Sequence, residues 1–203
     1  SDLQALEQLI QRFDGLGNVN VKIVGFGTGA TSSQWFIDDA ANAIRYVDEV
    51  QAGGGTEYDS GLQQVISTWG TPPAADKTLF YFVTDGTPNA GRGITASSNP
   101  SITTWENFVN GMGGTAYAVG IGTADLANLT PIAYPNGPGS EPHAILLSNP
   151  TALADTLLDT VDGGIVTGQV SVLSGGGTSG FVLGADGGSV TSIVVDGVTY
   201  NSG

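Results

Sequence analysis

The sequence predicts an α/β fold: a doubly wound, mostly parallel, Rossmann-like sheet with helices on both faces and a β-rich extension at its C-terminal end. Three observations carry that expectation. Segments of helical and strand periodicity alternate along residues 3–161. Residues 78–84 (TLFYFVT) are apolar almost without interruption, as in a parallel strand covered on both faces. Asp85-Gly86 directly follows that strand and Gly53-Gly54-Gly55-Thr56 directly precedes a helix, the places where open α/β sheets hold ligands.

Taken in order, residues 3–13 space Leu3, Leu6, Leu9, Ile10 and Phe13 as one helix face, with Ser1 as its cap. A turn at 14–18 leads to a strand at 19–26, where Val19, Val21 and Ile23 alternate before the run becomes fully apolar. Residues 38–50 form a helix with Ala40, Ile44 and Val47 inward and acids in its first turn. Residues 59–69 place Leu62, Val65, Ile66 and Trp69 at i, i+3, i+4 and i+7. After strand 78–84 a Gly/Ser/Asn/Pro loop runs to about residue 100. Then come a helix at 102–110, a strand at 115–121, a short helix near 124–133, a strand at 144–147 and a helix at 151–161. The pattern opens on a helix, whereas a doubly wound sheet normally opens on a strand.

The composition changes near Asp162-Gly163-Gly164, which divides the chain into a domain over 1–163 and a β-rich extension, or the start of a following domain, over 164–203. That tail offers short strands in 168–174, 189–197 and 198–203 and a hairpin signal at Asp196-Gly197.

Composition narrows the function. Lys and Arg number 5 against 19 Asp and Glu, a formal net charge of −14. Such a surface repels phosphate backbones and anionic lipid, so neither nucleic acid nor direct membrane insertion is expected, and it suits divalent cations. Cysteine is absent, which excludes disulfides, zinc–thiolate centres and cysteine nucleophiles. The single histidine, His143, sits in a loop and reads as no catalytic base, and no Gly-x-Ser-x-Gly elbow is present. An enzyme is therefore not expected.

The informative stretches are Gly53-Gly54-Gly55-Thr56-Glu57-Tyr58-Asp59 and Val83-Thr84-Asp85-Gly86-Thr87-Pro88-Asn89. A hard cation wants oxygen donors such as the Thr56 hydroxyl and the Asp85 carboxylate, and Gly54, Gly55 and Gly86 shape the loops for close approach. Thr56-x-x-Asp59 also fits a helix-capping arrangement, and Asp85-Gly86 an ordinary turn. The glycine-rich Gly25-Phe26-Gly27-Thr28-Gly29-Ala30 mimics a dinucleotide fingerprint, but no helix opens directly after it. Trp35, Trp69 and Trp105 read as core anchors.

These stretches, with Ala116-Tyr117-Ala118-Val119-Gly120-Ile121-Gly122, resemble the von Willebrand factor A family over roughly residues 1–163, in particular the versions found in giant bacterial repeats-in-toxin (RTX) adhesins. The tail is similar to β-rich linkers of the same adhesins. The resemblance implies a metal-ion-dependent adhesion site (MIDAS) holding Ca²⁺ or Mg²⁺ through Thr56 and Asp85. It implies a protein or glycan partner presenting an acidic group, and a secreted or bacterial cell-surface location. The family's first motif, Asp-x-Ser-x-Ser, does not occur in this sequence; Asp196-Gly197-Val198-Thr199-Tyr200 puts Val and Tyr where the serines belong. The expectation is that the missing first strand is supplied by an upstream fragment or another chain. The alternative reading is a structural spacer with a degenerate metal site.

Overall fold

The computed structural model describes residues 2–50, 54–75, 77–140, 142–166, 178–184 and 191–196. An amphipathic helix comes first: α1 (Asp2–Leu16) buries Ala5, Leu6, Leu9, Ile10 and Phe13 along one face. Strand β1 (Asn20–Gly27) follows, buried from Val21 onward. It turns into β2 (Gly29–Ser32), which folds back antiparallel with Val24 facing Ser32, while β3 (Phe36–Ile37) pairs the other half of the same edge. The glycine-rich 25–30 stretch is thus the tip of a hairpin.

The remaining elements are α2 (Ala40–Glu49), α3 (Tyr58–Thr68), β4 (Thr78–Thr84), α4 (Ile102–Gly111), β5 (Thr115–Gly120), α5 (Leu126–Leu129), β6 (Ala144–Leu146), α6 (Leu153–Val166), β7 (Thr178–Gly184) and β8 (Thr191–Asp196). Side-chain oxygens of Asp39, Ser101 and Asp125 accept from Asn42, Thr104 and Asn128 N–H groups, which fixes the starts of α2, α4 and α5. The helix expected at 124–133 is confined to Leu126–Leu129, because Pro131 offers no N–H to continue it. Helix α6 runs through 162–164, where the composition changes. The strands expected in 168–174 and 198–203 lie outside the described residues.

The sheet order is β2-β1-β7-β8-β4-β5-β6, with β3 on β1. Strands β4, β5 and β6 are parallel neighbours. Between β1 and β4 stand β7 and β8. Strand β7 registers parallel to both, with Phe181 facing Ile23 and Tyr81; β8 registers antiparallel to both, with Val195 facing Val21 and Leu79.

Alternation along β1 and β4 sends side chains to two cores. Val21, Ile23, Leu79, Tyr81 and Val83 pack with α1, α2 and α6. Val24, Phe26, Phe80 and Phe82 pack with α3, α4 and α5. Helices therefore cover both faces, as the apolar run of β4 requires, and each core can exclude water from one side of the ladder. Trp105 is buried and donates from its indole N–H to the Ile132 carbonyl, while Trp35 and Trp69 meet edge to face. Among the described residues no helix is long and apolar enough to cross a membrane.

Candidate functional site

Parallel strands β1, β4 and β5 all end on one edge of the sheet, and the chain closes that edge with backbone bonds between loops. Glu57 N–H donates to the Gly27 carbonyl at 3.0 Å, and Gly55 N–H to Thr28 Oγ1 at 2.6 Å, tying the loop before α3 to the end of β1. Asn89 N–H donates to the Thr56 carbonyl at 2.8 Å, tying that loop to the one after β4. Ile121 N–H donates to the Thr84 carbonyl and Thr123 N–H to the Asp85 carbonyl, at 2.9 and 3.0 Å, adding the loop after β5. The two loops pack closely at Gly55: a Cβ there would stand 2.0 Å from Asn89 Nδ2, so the Asn89 amide would have to move aside.

Thr56 sits inside this junction, 1 % exposed. Its hydroxyl has no hydrogen-bond partner among the described residues, although a buried polar group normally finds one. It does not cap α3. The capping position falls on Glu57, whose side chain makes no capping bond, and the Asp59 N–H of the first helical turn is satisfied by the Arg92 carbonyl at 3.0 Å. The Asp59 carboxylate is turned to the Arg92 guanidinium instead.

Asp85 is half-buried at the carboxyl end of β4. The next peptide is fixed by two hydroxyls: Tyr58 Oη donates to the Gly86 carbonyl at 2.5 Å and Thr84 Oγ1 at 3.1 Å. Burial, chiefly, raises the Tyr58 phenol far above its ordinary pKa; the Thr84 hydrogen bond lowers it, and the nearby Asp125 and Asp85 charges raise it further. Tyr58 is therefore a donor at any working pH.

Thr56 and Asp85 thus stand on the same edge of the sheet, in loops bonded to each other through Asn89 and Gly86. A buried hydroxyl with no partner among the described residues and a carboxylate at a strand end are both hard oxygen donors, which fits Mg²⁺ or Ca²⁺ as two members of a larger set. Among the described residues no three His, Asp or Glu side chains gather to hold a metal. His143 bonds to the Pro135 carbonyl through Nδ1 and packs against Tyr117.

Sequence reasoning did not single out Arg92, Thr28 or Asn89, and it gave Tyr58 no role. Tyr58 lies within the quoted Gly-Gly-Gly-Thr-Glu-Tyr-Asp stretch. Arg92 is the one cation in the loop between β4 and α4, a signal visible in a chain with 5 Lys and Arg in all.

Fold and edge together define an open α/β domain whose ligand atoms gather beyond the carboxyl ends of its strands. The family model for the von Willebrand factor type A domain matches residues 3–159, and the chain belongs to that family. Domains of this family generally mediate adhesion or ligand binding, often through a metal ion. No curated protein and no solved structure matches the chain.

Proposed function

We propose that this domain binds a partner through a divalent cation at a MIDAS-type site, with Thr56 and Asp85 among the ligands, and makes or breaks no covalent bond. The observation that carries the reading is the buried Thr56 hydroxyl, without a hydrogen-bond partner among the described residues, on the same sheet edge as the Asp85 carboxylate. Two protein donors leave most of the six to eight positions around Ca²⁺ for water and for an acidic group of the partner. The net charge of −14 supports a role for bridging cations when the partner is itself acidic. The resemblance to RTX adhesins supports reading the domain as part of a secreted or cell-surface adhesin, with a protein or glycan as its ligand.

Calorimetric titration with Ca²⁺ and with Mg²⁺ tests this reading. Binding to wild type and its loss in Asp85→Ala is the expected result, and equal affinity in the two proteins overturns Asp85 as a ligand. A second reading, a structural spacer with a degenerate metal site, draws on the lack of a three-residue acidic or His cluster among the described residues. Strong thermal stabilisation by Ca²⁺ with no partner bound in a ligand screen favours the spacer.

A further inference from the structure

We propose that Arg92 is the positioning residue of this cation site: it holds the Thr56 loop in place and keeps the two carboxylates beside Thr56 occupied. The inference rests on the cation reading given above. Glu57 and Asp59 follow Thr56 in sequence, and as carboxylates both are stronger ligands for a hard cation than a hydroxyl. Their side chains are only 12 % and 14 % exposed, and one guanidinium engages both. Arg92 Nη1 meets Glu57 Oε1 at 2.9 Å, and Nε meets both Asp59 oxygens at 2.9 Å. Nη2 donates to Ser60 Oγ at 2.8 Å, and Ser60 Oγ in turn donates to Glu57 Oε2 at 2.9 Å. The Gly29 N–H also donates to Glu57 Oε2, and the Ser60 N–H to Asp59 Oδ1. Every oxygen of the two carboxylates is therefore in use.

The main chain repeats the connection. Arg92 N–H closes a turn onto the Asn89 carbonyl at 2.8 Å. One end of that turn donates to the Thr56 carbonyl, through Asn89 N–H, and the other accepts from Asp59 N–H, through the Arg92 carbonyl. The 89–92 turn is thus fastened to 56–60 at both ends, with the guanidinium across the middle. Lysine cannot replace it, because an ammonium is a point charge without the planar fork that spans three partners.

The test compares wild type, Arg92→Lys and Arg92→Ala by amide hydrogen exchange without metal and by Ca²⁺ and Mg²⁺ calorimetry. In Arg92→Lys the Asn89 and Asp59 amides are expected to exchange faster while β5 amides keep their protection. Cation affinity is expected to fall about tenfold or more, as when other outer-shell partners of a metal site are lost, although the charge is retained. Arg92→Ala should bind at least as weakly, whereas charge alone would make it bind more tightly, since a cation has been removed. The proposal is overturned if Arg92→Lys matches wild type in exchange and affinity, or if Arg92→Ala binds cations more tightly. Wild-type protein that binds neither ion overturns the cation reading itself, a result distinct from wild-type binding that Arg92→Lys leaves intact.

Discussion

The Tyr58 hydroxyl donates to the Gly86 carbonyl, so the first residue of α3 holds the peptide that follows Asp85. Tyr58 is also packed edge to face on Phe26 and Phe82, which fixes the ring from below. Tyr58→Phe keeps that packing and removes one bond, while Thr84 Oγ1 still serves the carbonyl. The expected cost is about 1 kcal/mol, or a fall in Tm of about 2–4 °C for a chain of this size. Because Asp85 is adjacent, the Tm rise on adding Ca²⁺ should shrink as well. Melting curves with and without Ca²⁺ measure both; a variant indistinguishable from wild type would show that the bond holds nothing.

Thr56→Val separates the site from the fold by sign. The two side chains share a shape, and the hydroxyl at this position is buried without a partner among the described residues. An unsatisfied buried polar group costs about 1–3 kcal/mol, so the variant should be more stable than wild type in metal-free buffer. The same change removes a cation ligand, so stabilisation by Ca²⁺ or Mg²⁺, worth about 2.7 kcal/mol at a hundred times Kd, should vanish. Urea unfolding with and without the ion reads both effects. A metal-free variant less stable than wild type would mean that the hydroxyl is satisfied within the fold.

Residues whose role is decided locally were legible in the sequence, and residues whose role is decided at long range were not. The apolar run of β4 announces burial on both faces, and Thr78–Thr84 is buried throughout. Thr56 stood out because glycines and a helix start flank it. Strands β2 and β3 did not stand out. They are four and two residues long on a sheet edge, too short and too exposed to impose an alternating pattern. Arg92 acts on Asp59, 33 positions away, and no periodicity encodes such a pairing. The same holds for β7, which registers against Ile23 and Tyr81 from the far end of the chain.

Gly122 is the point where the loop after β5 presses on Asp85. Its φ is +60°, and a Cβ there would lie 2.5 Å from the Asp85 carbonyl oxygen. Gly122→Ala should lose about 1–2 kcal/mol from the left-handed backbone alone. It should also weaken cation binding, because backbone at Asp85 must shift to admit the methyl group. Gly113→Ala is the control: φ is +61° there, and nothing lies within 4 Å of the added atom. It should show the stability loss with unchanged affinity. Equal Ca²⁺ affinities in the two variants would contradict the contact between this loop and the site.

A carboxyl pair between α1 and α2 gives the fold a pH dependence of its own. Glu7 is hydrogen-bonded to Asp48, and this contact, with burial and the repulsion between the two charges, pushes Glu7 from 4.5 up to about 7. The folded state therefore holds a proton that the unfolded state releases between about pH 4.5 and 7, and stability falls as pH rises through that window. The contribution is complete below pH 4.5 and lost above 7. Glu7→Gln keeps a donor facing Asp48 and does not titrate. Melting temperatures of the two proteins should lie close together at the acid end and separate as pH rises, with the variant the more stable at pH 8. Curves that stay parallel from pH 4.5 to 8 would mean that the two carboxyl groups share no proton.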